Sequence, residues 1–199
     1  MGGRKQKTRE LNSGICIIGE GITEHYYFYH LKNILKIKCQ IKPRLFCNTS
    51  ISDIGKTIIR LLKERLIIIC VFDADVSKYN TKERERLEAL KSKYKDNKNV
   101  IICDSYPAIE YWFLIHYKDT CPNCTSKQME NLLKKDIPDY DKKETFLKKE
   151  KWVRDMLPKL STAMKKAEKD RLMNAGSAPY SNIDKAIEKL NIMNEKITF

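Results

Sequence analysis

Ile67-Ile68-Ile69-Cys70-Val71-Phe72-Asp73-Ala74-Asp75 decides how this chain folds. A wholly apolar run, rich in β-branched side chains, stops at two carboxylates set one residue apart. Such a run is the pattern of a strand buried on both faces of a parallel sheet. Toward the N-terminus, Ile15-Cys16-Ile17-Ile18-Gly19-Glu20 repeats it with one carboxylate at its end; toward the C-terminus, Val100-Ile101-Ile102-Cys103 repeats it before Asp104. Helical stretches lie between. One opens at Gly21, with Thr23 as N-cap and Tyr26, Tyr27, Leu31 and Leu35 as apolar positions. Residues 37–47 alternate as a half-buried strand that Pro43 confines to an edge. Ser50 to Asp53 forms a capping box for a helix to about Glu64, and Asn80 to Glu83 starts a charged helix to about Lys95. The alternation predicts an α/β fold with a mostly parallel sheet flanked by helices.

After Pro107 the pattern changes. Ile109, Trp112, Phe113 and His116 mark a helix, and residues 125–135, 144–156, 159–174 and 181–194 carry helical signals alone. Pro138, Pro158 and Pro179 lie between these helices or at their starts. The expected organisation is a basic arm over 1–12, an α/β core over 13–118, and a helical C-terminal extension over 119–199 packed on that core.

In an open α/β sheet, ligands bind outside the carboxyl ends of the strands. Neighbouring parallel strands therefore bring Glu20, Asp73 and Asp75 to one rim. Three clustered carboxylates repel unless a cation sits among them, and a hard divalent ion, Mg²⁺ or Mn²⁺ in its place, prefers such oxygens. Alternate residues of an extended chain point the same way, so Asp73 and Asp75 can face one ion. Aspartate also favours turns after strands, which makes a lone D-x-D a weak signal. Glu24 is read as a carboxylate favoured by the helix dipole rather than as a ligand. Glu110 is either a further rim residue or a buried acid paired with Lys or Arg. His116 lies about 120° around the helix from Glu110 and is read as a packing residue. Asp104 rivals Glu110 as a rim ligand. Cys121-Pro122-Asn123-Cys124 is a single C-x-x-C, and a zinc site needs two more ligands. Neither a Walker phosphate loop nor a dinucleotide G-x-G-x-x-G is present.

Lys and Arg outnumber Asp and Glu by 39 to 26, a formal charge of +13, with an isoelectric point near 9.3. That balance attracts phosphate backbones, although Lys-rich composition alone produces it too. Beside an acidic metal rim it points to a polyanionic substrate, nucleic acid. Candidate contacts are Arg4, Lys5, Lys7 and Arg9 in the arm, and Lys148, Lys149, Lys151, Lys165, Lys166 and Lys169 in the extension. Among the seven cysteines, Cys16, Cys70 and Cys103 read as small buried hydrophobes. The basic start has no apolar stretch after it and no run approaches transmembrane length. A cytoplasmic, reducing location without a membrane anchor is expected.

Three stretches together resemble the RloB family: Gly19-Glu20-Gly21-Ile22-Thr23-Glu24 with its aromatic-rich helix to Phe28, Val71-Phe72-Asp73-Ala74-Asp75, and Ser105-Tyr106-Pro107 through Glu110, Trp112 and His116. The resemblance covers residues 14–117 well and is looser beyond, around Ala163, Ala167 and Asn174-Ala175. It implies a Toprim-like (Rossmannoid) core, similar to topoisomerases, DnaG-type primases and OLD-family nucleases. There a strand-end Glu and a D-x-D bind Mg²⁺ for phosphoryl chemistry, positions that Glu20, Asp73 and Asp75 would take. Glu110 and His116 match the family motif without a defined role. The resemblance further implies a Mg²⁺-dependent nuclease serving prokaryotic phage defence by abortive infection. Its partner would be an RloA-like ATPase of the ABC/AAA type, docked by the helical extension unless that extension contacts nucleic acid. Glu20 would be a metal ligand or a general acid or base. The rivals are a non-catalytic nucleic-acid-binding or regulatory partner of the ATPase, and a primase-like nucleotidyl transferase. DNA and RNA, tRNA included, remain equal as substrates.

Overall fold

The computed structural model describes residues 14–42, 50–75, 81–119, 121, 123–174 and 179–194. Strands β1 (Ile15–Gly19), β2 (Cys39–Lys42), β3 (Ile67–Asp73), β4 (Val100–Tyr106) and β5 (Tyr180–Ser181) form one sheet in the order β2-β1-β3-β4-β5. The first four run parallel and β5 runs antiparallel to β4. Register sets Gly19 beside Val71 and Asp73 beside Ser105, so β1 stops two residues before the end of β3, and β3 one residue before the end of β4.

The pleat sorts side chains by parity. Ile15, Ile17, Ile69, Val71 and Cys103 face one core; Cys16, Ile18, Ile68, Cys70 and Phe72 face the other. The second core is closed by α2 (Ile51–Lys63) and α3 (Thr81–Tyr94), through Ile54, Ile58, Leu61, Leu87, Leu90 and Tyr94. The first is closed by α1 (Ile22–Leu35) and by everything after β4. Those later elements are α4 (Glu110–Leu114), α5 (Ser126–Leu133), α6 (Glu144–Leu147), α7 (Lys151–Met156), a 3₁₀ turn at Leu157–Lys159, α8 (Leu160–Asn174) and α9 (Ile183–Asn194). Tyr27, Phe113, Tyr140, Phe146 and Trp152 interlock as tilted and edge-on rings where α1 meets this layer. Each buried large side chain of this kind contributes roughly 1.5–3 kcal/mol.

Local capping follows the sequence in part. Ser50 caps α2 by accepting from Asp53 N–H at 3.2 Å, as the capping box predicts. Thr23 is not the cap of α1; Gly21 holds that position with extended backbone, and Thr23 is buried in the first turn. A Cβ on Gly21 would lie 2.6 Å from Glu24 Oε2, so a close carboxylate explains the glycine. Of the predicted 37–47 strand, Cys39–Lys42 forms β2, Ile37 and Lys38 precede it outside the strand, and 43–47, Pro43 included, lie outside the described residues.

Two expectations for the extension are corrected. The predicted 144–156 helix is two short helices, α6 and α7. The helices-only tail also hides β5, whose two residues are too few to show a period-two pattern. Ser105 and Ser181 share a hydroxyl hydrogen bond of 2.9 Å across this last pairing. Asp104 is occupied here rather than at the rim. It accepts from Tyr180 Oη and Asn182 Nδ2 and pairs with Lys91 at 2.7 Å. Burial pushes its carboxyl up, but Lys91 and the hydrogen bonds outweigh that and hold it below the usual range. No helix among the described residues is long and apolar enough to cross a membrane.

His116 is a core residue, as its sequence context suggested. It is 4% exposed, packs edge-on to Trp112, and its Nδ1 lies 2.8 Å from Trp112 O, which makes Nδ1 the protonated nitrogen. Burial pushes its pKa down to about 4 from 6.5. The unfolded chain therefore takes up a proton that the native state refuses. Stability present above pH 6.5 is lost as pH falls toward 4, by about 3 kcal/mol in all. Urea unfolding of wild type and His116→Phe at pH 7 and near pH 4.5 checks this: the variant should lose less on acidification.

Candidate metal and catalytic site

Glu20, the residue after β1, lies beside the end of β3, where Asp73 stands. Glu20 N–H donates to Val71 O at 3.0 Å, carrying the sheet one residue further. Asp73 N–H donates back to Glu20 Oε2 at 3.2 Å. Asp73 shares parity with Ile69 and Val71, so its carboxylate rises on the face covered by α1 and α4. Its Oδ1 accepts from Ile109 N–H at 2.8 Å, just ahead of α4.

Two further acids enter from those helices. Glu24 stands on the same stripe of α1 as Tyr27, Phe28 and Leu31, and is 3% exposed. Its Oε2 has no hydrogen-bond partner. Glu110 opens α4 and is fully buried. Its Oε1 accepts from Tyr140 Oη at 2.8 Å and pairs with Lys142 Nζ at 2.8 Å, while its Oε2 has no partner.

The charges of these groups act on one another. Burial, then the charges of Glu110 and Glu20, raise Glu24 to about 7. Burial, then Glu24 and Glu110, raise Asp73 well above the carboxylate range. Burial raises Glu20, against the hydrogen bond from Asp73. Burial pulls Lys142 down, but Glu110 chiefly, with Asp73 and Glu24, overrides it and raises Lys142. Glu110, Asp73 and Glu24 thus share one ammonium.

The structure brings together Glu20, Glu24, Asp73 and Glu110; it does not bring Asp75 to the same point. The chain bends at Ala74, whose N–H donates to Ser105 O at 2.8 Å, and beyond a bend the alternation rule lapses. Asp75 turns toward α5 and accepts from Ser126 Oγ at 2.9 Å. The expected convergence of Glu20, Asp73 and Asp75 is therefore corrected. Among the described residues, no three His, Cys, Asp or Glu side chains are gathered as they stand to hold a metal ion. The donor chemistry of the four-acid pocket nonetheless fits a hard divalent cation. Carboxylate oxygens are its preferred ligands, and two buried ones here lack a donor, a costly state for an anion. Rotation of Glu20, Glu24 and Asp73 toward a common point is what ligation would require.

The other predicted residues are dispersed. Arg4, Lys5, Lys7 and Arg9 lie outside the described residues. Lys149, Lys165 and Lys169 are exposed. Lys148 and Lys151 pair with Glu144 and Asp155 on the surface, links that cost little to release. Lys166 is corrected from a phosphate contact to a strut. Its ammonium reaches Ile115 O at 3.3 Å, Lys118 O at 3.0 Å and Asp119 at 2.9 Å, satisfying carbonyls beyond the end of α4. Cys121 and Cys124 pack, partly buried, against the larger core.

Glu24, Tyr140 and Lys142 were missed as site residues. Glu24 had a signal: spacings of three, four and seven to Tyr27, Phe28 and Leu31 put it on the apolar stripe, not on the solvated first turn. Tyr140 and Lys142 had none, because only the tertiary fold returns their loop to the sheet.

A protein-family model described as RloB-like protein matches residues 15–190. No curated protein and no solved structure matches the chain. The match runs from the first residue of β1 to the last turns of α9, through every residue of the four-acid pocket. The chain belongs to the RloB-like protein family.

Proposed function

We propose that this protein is a Mg²⁺-dependent nuclease of the Toprim type, acting on nucleic acid. The observation that carries the reading is the pocket of Glu20, Glu24, Asp73 and Glu110 at the strand ends, with two buried carboxylate oxygens lacking partners. Glu20, Glu24 and Asp73 would hold the ion. When bound, such an ion polarises a phosphoryl oxygen and lowers the pKa of water at neutral pH. The chain's own groups supply the rest. Ile109 N–H orients Asp73, and Asp73 N–H orients Glu20. Burial, with the charges of Glu110 and Glu20, raises Glu24 to about 7 in the metal-free pocket, a repulsion that a bound ion would relieve. Tyr140 and Lys142 hold Glu110.

The formal charge of +13 supports a polyanionic substrate. The family resemblance supports a role as effector of prokaryotic anti-phage defence by abortive infection, working with an RloA-like ATPase in the cytoplasm. A second reading, a nucleic-acid-binding partner without turnover, draws on the Lys142–Glu110 pair, which already satisfies part of the pocket's charge.

Incubation with single- and double-stranded DNA and RNA, tRNA included, in Mg²⁺ or EDTA and with or without the ATPase, separates the two. Cleavage in Mg²⁺ alone supports the nuclease. Binding without cleavage under every condition supports the partner. Affinity should fall steeply with salt in either case. Replacing Lys149, Lys165 and Lys169 with Gln should lower the salt slope by about one per contacting lysine, read from binding isotherms at several salt concentrations.

A further inference from the structure

We infer that Lys142 is a tethered cation that occupies the carboxylate pocket in competition with the divalent ion, and so sets the ion concentration at which the site loads. The inference rests on the metal-site reading above and describes its regulation.

Glu110 is fully buried, and a buried carboxylate needs a partner. Tyr140 supplies one hydrogen bond, and Lys142 Nζ, at 2.8 Å from the same oxygen, supplies the charge. One ammonium does not satisfy the pocket: Glu110 Oε2 and Glu24 Oε2 are both buried without a partner. The resident cation is therefore too small in charge and in reach for the acids around it, a shortfall that a doubly charged ion with several ligand positions removes.

Lys142 is also built to leave. It lies in the loop between Tyr140 and α6, outside helix and strand. Its side chain is 39% exposed, although its ammonium pairs with a carboxylate that is 0% exposed. A four-carbon stem lets the head swing to water while the backbone stays in place. The adjacent Asp141 is paired with Lys143.

The contrast with Arg171 and Asp184 is informative. There a guanidinium grips both oxygens of a buried carboxylate, at 2.5 and 2.6 Å, and is braced by Ser181 O at 2.9 Å. That two-pronged pair suits permanent structure. Lys142 holds Glu110 by a single contact, which suits exchange.

The test compares full-length wild type, Lys142→Met, Lys142→Gln and Lys142→Arg by calorimetric titration with Mn²⁺ and by thermal unfolding in EDTA and in Mn²⁺. Lys142→Met should bind Mn²⁺ about tenfold or more tightly than wild type, melt lower in EDTA, and regain the loss in Mn²⁺. Lys142→Arg, which keeps the charge and can grip both carboxylate oxygens, should bind Mn²⁺ no more tightly than wild type. Lys142→Gln, which can still hydrogen-bond Glu110, serves if the Met variant does not fold, and must show the same tightening. Equal or weaker Mn²⁺ binding by the neutral variants overturns the exchange while leaving the metal site standing. Failure of wild type and variants alike to bind Mn²⁺ overturns both.

Discussion

Asp73→Asn should reduce Mg²⁺-dependent strand cleavage by roughly 10²–10³-fold or more while raising the melting temperature of the metal-free protein. Asparagine keeps the Oδ1 that accepts from Ile109 N–H, so the loop ahead of α4 holds its place. What is lost is a carboxyl whose ionised form is opposed by burial and by Glu24 and Glu110. The stability change has a definite sign. Asp73 ionises in the unfolded chain near 3.8 and resists ionisation in the fold, so its native-state penalty grows as pH rises from that value through the raised one. The gain of the Asn variant should therefore be present at pH 7 and vanish below about pH 4. Glu24→Gln makes the companion case. A carboxylate that served only the helix dipole would cost less than about 1 kcal/mol and leave turnover intact. As a member of the pocket, Glu24→Gln should instead cost activity on the scale of Asp73→Asn.

The largest stability effect is expected at the other end of the sheet. Asp184 is 2% exposed at the start of α9, and Arg171 neutralises it while also holding Ser181 O of β5. Arg171→Met removes the fork and leaves a buried charge with no counter-ion, an expected loss of about 3–5 kcal/mol. Asp184→Asn on that background should return much of the loss, because the orphaned charge causes most of it. Equilibrium urea unfolding of the single and double variants measures both. Asp104, tied to Lys91, Tyr180 and Asn182, keeps the β4 half of this junction in place.

The parallel sheet was legible because its strands are apolar on both faces, a composition that little else produces. Glu20 and Asp73 were legible as rim acids because they end two such runs. Asp75 was placed wrongly for a physical reason: two-residue alternation holds only while the strand continues, and Ala74 is where it stops. Glu24 was misassigned because a first-turn carboxylate on a helix is so often solvated, although its spacing to Tyr27, Phe28 and Leu31 carried the contrary signal. Lys142 and Tyr140 were invisible in principle. Their loop reaches Glu110 through the packing of Met129, Leu133, Phe146 and Trp152 under α1 and α4, which no local pattern encodes. β5 escaped because two residues make no period, yet it turns the extension from an appendage into part of the sheet.

Anomalous scattering from crystals soaked in Mn²⁺ locates the ion. A peak is expected among the carboxylate oxygens of Glu20, Glu24 and Asp73, about 2.1 Å from each as for a small hard cation, with Lys142 Nζ withdrawn from Glu110. A pocket without a peak at saturating Mn²⁺, with the Lys142–Glu110 pair intact, would contradict it.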